Sequence, residues 1–398
     1  MTSTRVAVYS DCNSRGGVWS YTVRTLKLLE ELGYSSYLVS HSPKDEKERE
    51  LLDLLQRYAG ESLLLPDGGD ADEHIAAISE YLIDNEIQIF IPNYRKISYA
   101  AAALSSRSAD ISVVGVCHND HESYYETLLR YQDMISVFIC ASAKTRSVLE
   151  SRLSHENESK VTYIPHYVQL DHDLRARFRS DTFTVLYHGR LQEEQKHCSE
   201  ILRIAERVLE QQNNVHFRLI GDGADKETYT AEVARRGWGD RITFSDSQPW
   251  ADLQFELASA QLAILTSSYE GFCYGAAEAL ATGLPVVAYD CGEVISDFLF
   301  HEQNGYITEW GRADQLADWI VELSNDEQRW QQCSNAAVDI GRSKFSFSQV
   351  LAAYDRVLMQ SLSRTDAWPL FRPAFIPEKG KSLRSFWEKV GRKAGAWA

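Results

Sequence analysis

Apolar and polar positions follow two alternating periods along the first half of the chain. Short apolar runs at 5–10, 36–40, 62–65, 87–92, 111–118 and 136–141 read as buried strands. Between them, 19–32, 73–85, 124–134 and 143–153 place apolar residues at helical spacing. This alternation predicts β–α repeats and therefore a parallel, doubly wound sheet. The charged segment 43–58 is helical in pattern and reads as a solvated insertion. Around 162–173 the pattern pauses, and a second series of runs follows at 184–188, 215–220, 242–245, 262–266, 285–289 and 305–308. Helical patterns at 313–324, 328–340 and 347–362 close it. Both series open alike, at 5–32 and 184–209, with a strand, a glycine-containing turn and a long helix. The expectation is two α/β domains, 1–170 and 171–362, with an extension at 363–398. Ligands would belong in a cleft at the carboxyl ends of the strands.

A chain of 398 residues is long enough for two full cores. With 44% hydrophobic and 25% charged residues, its composition is that of a soluble globular protein. A net charge of −16 speaks against a general nucleic-acid binder. No secretory signal precedes the first strand, and no apolar run approaches a membrane span. The seven cysteines are scattered, odd in number and without a Cys-x-x-Cys pair. They read as reduced thiols of a cytosolic enzyme.

Glu270 and Glu278 bracket the most informative stretch. The apolar run 262–266 leads into a glycine-punctuated turn and a short small-residue helix at 274–282, and a second apolar run follows at 285–289. On an ideal helix two carboxylates eight residues apart stand about 12 Å from each other, whereas a glycosidase pair needs roughly 5–9.5 Å. Two carboxylates gripping opposite ends of an elongated ligand is the better reading. Between them the amides of Cys273, Tyr274 and Gly275 open a helix, where a phosphate is favoured. Hydroxyls at both ends and phosphate between them describe a nucleotide-sugar.

With its flanks, the stretch Ser-x-x-Glu-Gly-Phe…Glu-Ala…Gly-x-Pro-Val-Val resembles the retaining GT-B glycosyltransferases of family 4, the glycosyl transferases of group 1. The resemblance implies two Rossmann-like domains facing across a cleft, with the last helix returning to the first domain. It implies that Glu278 holds the ribose hydroxyls, and that Glu270 and the main chain at Phe272, Cys273 and Tyr274 position the sugar. Gly189-Arg-Leu…Lys196 resembles the family's Gly-Arg-Leu…Lys-Gly motif, whose two cations bind the diphosphate. Arg190 and Lys196 would offset the charge on the leaving group. Lys196 stands one residue further from Arg190 than in the family pattern, and His197 replaces its Gly.

Gly16 and Gly17 fall between the first strand and first helix, where paired glycines let a ligand approach the backbone. His118 ends a strand, and family members commonly have a His there close to the anomeric centre. Asp120, His121 and Glu122 follow it and are candidates for orienting an acceptor. Gly221 and Gly223 match the family's Gly-x-Gly turn near the nucleotide. The segment 242–250 lacks the usual base-binding pattern, and Pro249-Trp250 faintly resembles lipopolysaccharide-core galactosyltransferases that use UDP-sugars.

Asp171-His172-Asp173 has the form of a metal-binding Asp-x-Asp but sits in the expected linker, so no metal or other cofactor is expected. In the tail, Lys379, Lys381, Arg384, Lys389, Arg392 and Lys393 accompany apolar residues at helical spacing. Residues 379–398 thus suit an anionic membrane surface, holding the enzyme on the inner face of the membrane near a lipid-linked acceptor. The same stripe equally suits docking on the protein. A nicotinamide oxidoreductase is disfavoured because neither opening turn carries Gly-x-Gly-x-x-Gly. A catalytically silent GT-B subunit would be expected to lose part of the set Arg190, Lys196, Glu270 and Glu278, which is complete. The expected activity is transfer of a hexosyl unit from a nucleotide-sugar, UDP-linked ahead of GDP-mannose, to a glycan or lipid-linked acceptor.

Overall fold

A computed structural model describes residues 3–11, 16–169 and 173–363. The chain divides into two compact units. Among the described residues, the first comprises 3–11, 16–141, 145–164 and 351–363, and the second 142–144, 165–169 and 173–350.

In the first unit a seven-stranded parallel sheet has the order β3–β2–β1–β4–β5–β6–β7. Its strands are β1 (Arg5–Tyr9), β2 (Ser35–His41), β3 (Glu61–Leu65), β4 (Ile89–Ile91), β5 (Ser112–Cys117), β6 (Ile135–Cys140) and β7 (Val161–Tyr163). Continuous apolar runs suit strands covered on both faces, and Val6, Ala7, Val8, Ile89, Phe90 and Ile91 have no exposed surface. The second unit holds a six-stranded parallel sheet, ordered β10–β9–β8–β11–β12–β13. These strands are β8 (Phe183–His188), β9 (Val215–Ile220), β10 (Ile242–Ser245), β11 (Leu262–Leu265), β12 (Val286–Tyr289) and β13 (Gly305–Thr308). In each sheet the winding reverses beside the opening strand, between β1 and β4 and between β8 and β11. Ligands of open α/β sheets bind at the carboxyl ends of strands at such points.

Three elements differ from expectation. Segment 43–58 is the crossover between β2 and β3 and not a solvated insertion: its helix, Glu46–Gln56, buries Leu51, Leu52 and Leu55. The helix is capped by Asp45, which accepts from the Glu48 amide at 2.8 Å, and the Trp19 indole donates to the Leu51 carbonyl at 3.3 Å. Helix Lys96–Ser105 went unread because nearly all of it, including Ala100 to Ala103, is buried, leaving no polar face to set a period. The pause near 162 contains β7, only three residues long.

The units divide after Ile164, earlier than the expected 170. The last helix, Phe347–Ser363, is grouped with the first unit from Leu351 onward and not with the second. There Tyr354 donates to the Tyr21 hydroxyl at 3.0 Å and Ser112 donates to the Ser361 carbonyl at 2.8 Å. Asp171, His172 and the basic segment 379–398 lie outside the described residues. Among the described residues no helix is long and apolar enough to cross a membrane.

Candidate active site

In the second unit, the loops after β8 and β11 are tied together at the switch point. The Gln195 carbonyl accepts from the Ser268 amide at 2.9 Å, and the Lys196 carbonyl accepts from the Thr266 hydroxyl at 2.7 Å. The Gln195 side chain bridges the two loops. It accepts from the Arg190 guanidinium at 2.7 Å and donates to the Tyr269 carbonyl at 2.9 Å. Lys196 reaches Glu270 in a direct ion pair, their side chains 17% and 9% exposed. Burial opposes the charge on Lys196, but the Glu270 carboxylate outweighs it and the lysine pKa is raised. Arg190 itself is exposed. The region thus presents one exposed cation and one cation held by its counter-ion.

Glu278 has a different partner. It sits within helix Tyr274–Ala281, and its carboxylate meets His188 Nε2 at 3.0 Å, both side chains being nearly buried. The helix begins at Cys273, whose backbone is left-handed (φ 68°, ψ 73°). A non-glycine residue in that region is held there by its surroundings, a form of local strain that concentrates at ligand sites. Burial first, and then the Glu270 charge, push the Cys273 thiol up to about 12, so it is no ready nucleophile. The Phe272 ring is core: it packs against Phe298 and Phe345 at 5.8 and 5.4 Å between centroids. Tyr274 stacks on His166 with centroids 5.0 Å apart and planes 11° from parallel.

Gly221 and Gly223 have a structural duty. A Cβ at Gly221 would collide with the Gly189 carbonyl oxygen, and one at Gly223 with the Leu191 carbonyl oxygen. The loop after β9 lies backbone-to-backbone on the loop after β8, with the Leu191 amide donating to the Asp222 carbonyl at 2.9 Å. These glycines hold the Arg190 loop in place.

In the first unit, His118 follows β5, and its Nε2 meets Asn93 Oδ1 at 2.9 Å. Asn93 Nδ2 donates to the Tyr9 carbonyl, which leaves Oδ1 as the acceptor. His118 therefore carries its proton on Nε2. Burial pushes its pKa down to about 3, so it is neutral at ordinary pH and acts as a hydrogen-bonding group, not as a cation. Asp120 accepts from Tyr125 at 2.6 Å, His121 caps helix Glu122–Arg130, and Glu122 pairs with Arg152 at 2.7 Å. All three expected acceptor-orienting residues are thus engaged locally. Gly16 caps helix Gly17–Glu31 with an ordinary extended backbone, and a Cβ on Gly17 would meet nothing within 4 Å. The described protein therefore does not itself require glycine at 17. Asp173 is exposed, and no group of three or more metal-ligating side chains occurs among the described residues.

Residues 171–339 match the family model of glycosyl transferases group 1, a span that contains Arg190, Lys196, Glu270 and Glu278. The chain is 28% identical over 303 residues to lipopolysaccharide 1,6-galactosyltransferase of Escherichia coli, covering 73% of this chain and 80% of that one. Among solved structures it is similar to TarM of Staphylococcus aureus, determined with UDP, alpha-GlcNAc-glycerol and fondaparinux. That likeness has a TM-score of 0.75 at 14% identity and covers 90% and 99% of the two chains. HepE of Anabaena, in complex with UDP and glucose, is similar with a TM-score of 0.74 at 16% identity, covering 89% and 99%. Over residues 171–339 the chain is thus similar to the glycosyl transferases of group 1. At these identities the solved structures establish the shared fold, the GT-B arrangement of two Rossmann-like units.

The departures from the group 1 glycosyltransferase pattern have physical readings. His197, standing where the family pattern has Gly, adopts the left-handed region (φ 43°, ψ 51°) that glycine takes without strain. Its ring packs against Trp310 at 4.6 Å. Three residues went unread as site residues: His188, Gln195 and His166. His188 ends a strand one residue before Gly-Arg-Leu, a position that would have flagged it. Gln195 and His166 carry no comparable signal, because their roles depend on which loop lies beside them.

Proposed function

We propose that the chain is a retaining, metal-independent hexosyltransferase that takes a UDP-sugar donor and acts in cell-surface glycan or glycolipid synthesis. The observation that carries this reading is the convergence of Arg190, the Lys196–Glu270 pair and the His188–Glu278 pair at one switch point. Arg190 and Lys196 stabilise the departing diphosphate as negative charge gathers on it. Glu270 aligns Lys196 and accepts a hydrogen bond from the sugar. Glu278, held by His188, takes the ribose hydroxyls. The main chain at Phe272, Cys273 and Tyr274 holds the middle of the donor. His118 acts as a neutral hydrogen-bonding group at the sugar, and no protein nucleophile is assigned. The UDP preference is supported by the UDP bound to TarM and HepE, and a glycan acceptor by the similarity to the lipopolysaccharide galactosyltransferase.

A thermal-shift comparison of UDP, GDP and ADP, with and without EDTA, tests the proposal. UDP should stabilise the protein by about 2.7 kcal/mol at a hundredfold excess over Kd, more than the other two and unaffected by EDTA. A shift that requires added Mg²⁺ or Mn²⁺ would overturn metal independence. No shift with any nucleotide would overturn the donor site.

A further inference from the structure

The first unit holds a second candidate binding region, which none of the roles above uses. A cavity of about 570 Å³ lies beside the carboxyl end of β4, lined among others by His41, Tyr94, Arg95, Lys96, Ser123 and Tyr124. Its volume falls within the range of small-molecule sites, roughly 300–1,000 Å³.

The walls differ in chemistry. The rings of Tyr94 and Tyr124 lie 6.0 Å apart, inclined at 37°. Such aromatic faces are electron-rich and accept the C–H edge of a ring that has hydroxyls elsewhere. Arg95 lies over Tyr94 at 5.2 Å, and its charge is taken up by buried Asp11 through two nitrogens at 2.7 and 2.6 Å. That network fixes the Tyr94 wall, since the Tyr94 hydroxyl also donates to Asp11.

Lys96 is exposed and begins helix Lys96–Ser105, whose first turn holds no acidic residue. The Ser98 and Tyr99 amides are bonded to the Arg95 carbonyl, which leaves the amides of Lys96 and Ile97 at a helix end that carries partial positive charge. A lysine and a helix N-terminus on one cavity wall form a cationic surface on a chain of net charge −16. The combination selects for a ligand with both a sugar face and an anion.

We propose that this cavity is a subsite for an anionic saccharide, a pyranoside bearing phosphate or carboxylate. The ring lies against Tyr94 and Tyr124, and the anion on the Lys96 side chain and the amides of Lys96 and Ile97. That this saccharide is the acceptor rests on the glycosyltransferase reading; its binding here does not.

Calorimetric titration of the full chain tests it, with glucose 6-phosphate and glucuronate against glucose and inorganic phosphate, each without UDP and at saturating UDP. At least one anionic sugar should bind tenfold or more tighter than both controls. UDP should not compete with it. Lys96→Glu should weaken that binding tenfold or more, and Tyr124→Ala should weaken it without altering inorganic phosphate binding. A glutamate at the first position of a helix suits its dipole, so the Lys96→Glu protein should keep its melting temperature. Anionic sugars binding no better than the controls would overturn the proposal. So would binding that survives either substitution or is displaced by UDP. If UDP itself fails to bind, the glycosyltransferase reading falls while the UDP-free titration still tests the cavity.

Discussion

Replacing Lys196 with alanine is expected to lower glycosyl transfer by about two to three orders of magnitude and to destabilise the fold as well. The kinetic loss is that of removing one preorganised group from a developing negative charge. The stability loss has a separate cause. Lys196 and Glu270 are paired and mostly shielded from water, and deleting the lysine leaves the Glu270 carboxylate buried without compensation. Breaking a buried pair in this way costs about 3–5 kcal/mol. The double replacement Lys196→Met, Glu270→Leu should recover much of the denaturation midpoint, because no uncompensated charge remains, yet transfer should stay lost. Midpoints in urea together with turnover measurements separate the two effects. An unchanged midpoint in Lys196→Ala would show that the pair does not contribute in solution.

Arg190→Ala should behave differently. The guanidinium is exposed and donates to Gln195, which also holds the Tyr269 carbonyl. Removing an exposed side chain should change stability within about 0.5 kcal/mol. Transfer should nevertheless fall by about two to three orders of magnitude, since in the proposed chemistry Arg190 meets charge that develops as the glycosidic bond breaks. An interaction made chiefly in the transition state is lost from kcat more than from KM. Arg190→Lys should restore only part of the rate, since an ammonium lacks the planar fork that matches phosphate oxygens. A folded Arg190→Ala protein with near-normal kcat would remove Arg190 from the proposed chemistry.

Both sheets were legible in the sequence because parallel strands are buried on two faces and show as continuous apolar runs. The helices that were read have one polar face. Helix Lys96–Ser105 lacks one, whereas segment 43–58 showed its helical period but, with Leu51, Leu52 and Leu55 set among charges, read as solvated. At the site, the charged residues were visible through their motif, but their pairing was not. Lys196 and Glu270 are 74 residues apart in sequence, and His188 and Glu278 are 90. Which partner each finds depends on β8 and β11 lying side by side, a property of strand order that no local pattern carries. Gly221 and Gly223 were read as a turn that places backbone near the nucleotide. The structure gives them a closer reason, since a Cβ at either would strike the neighbouring loop's backbone. Asp11 was missed for a related reason, because its partners Tyr94 and Arg95 follow a different strand.

The most direct test of a donor site built on these residues is a calorimetric titration of UDP into the wild-type chain and into Glu278→Gln. The substitution preserves shape and can still accept from His188, so the melting temperature should hold while the charge proposed to meet the ribose is lost. UDP should bind the wild-type protein, and the variant should bind at least tenfold more weakly, a difference of about 1.4 kcal/mol. Equal affinity for both proteins, or no UDP binding by the wild type, would contradict a nucleotide site at Glu278.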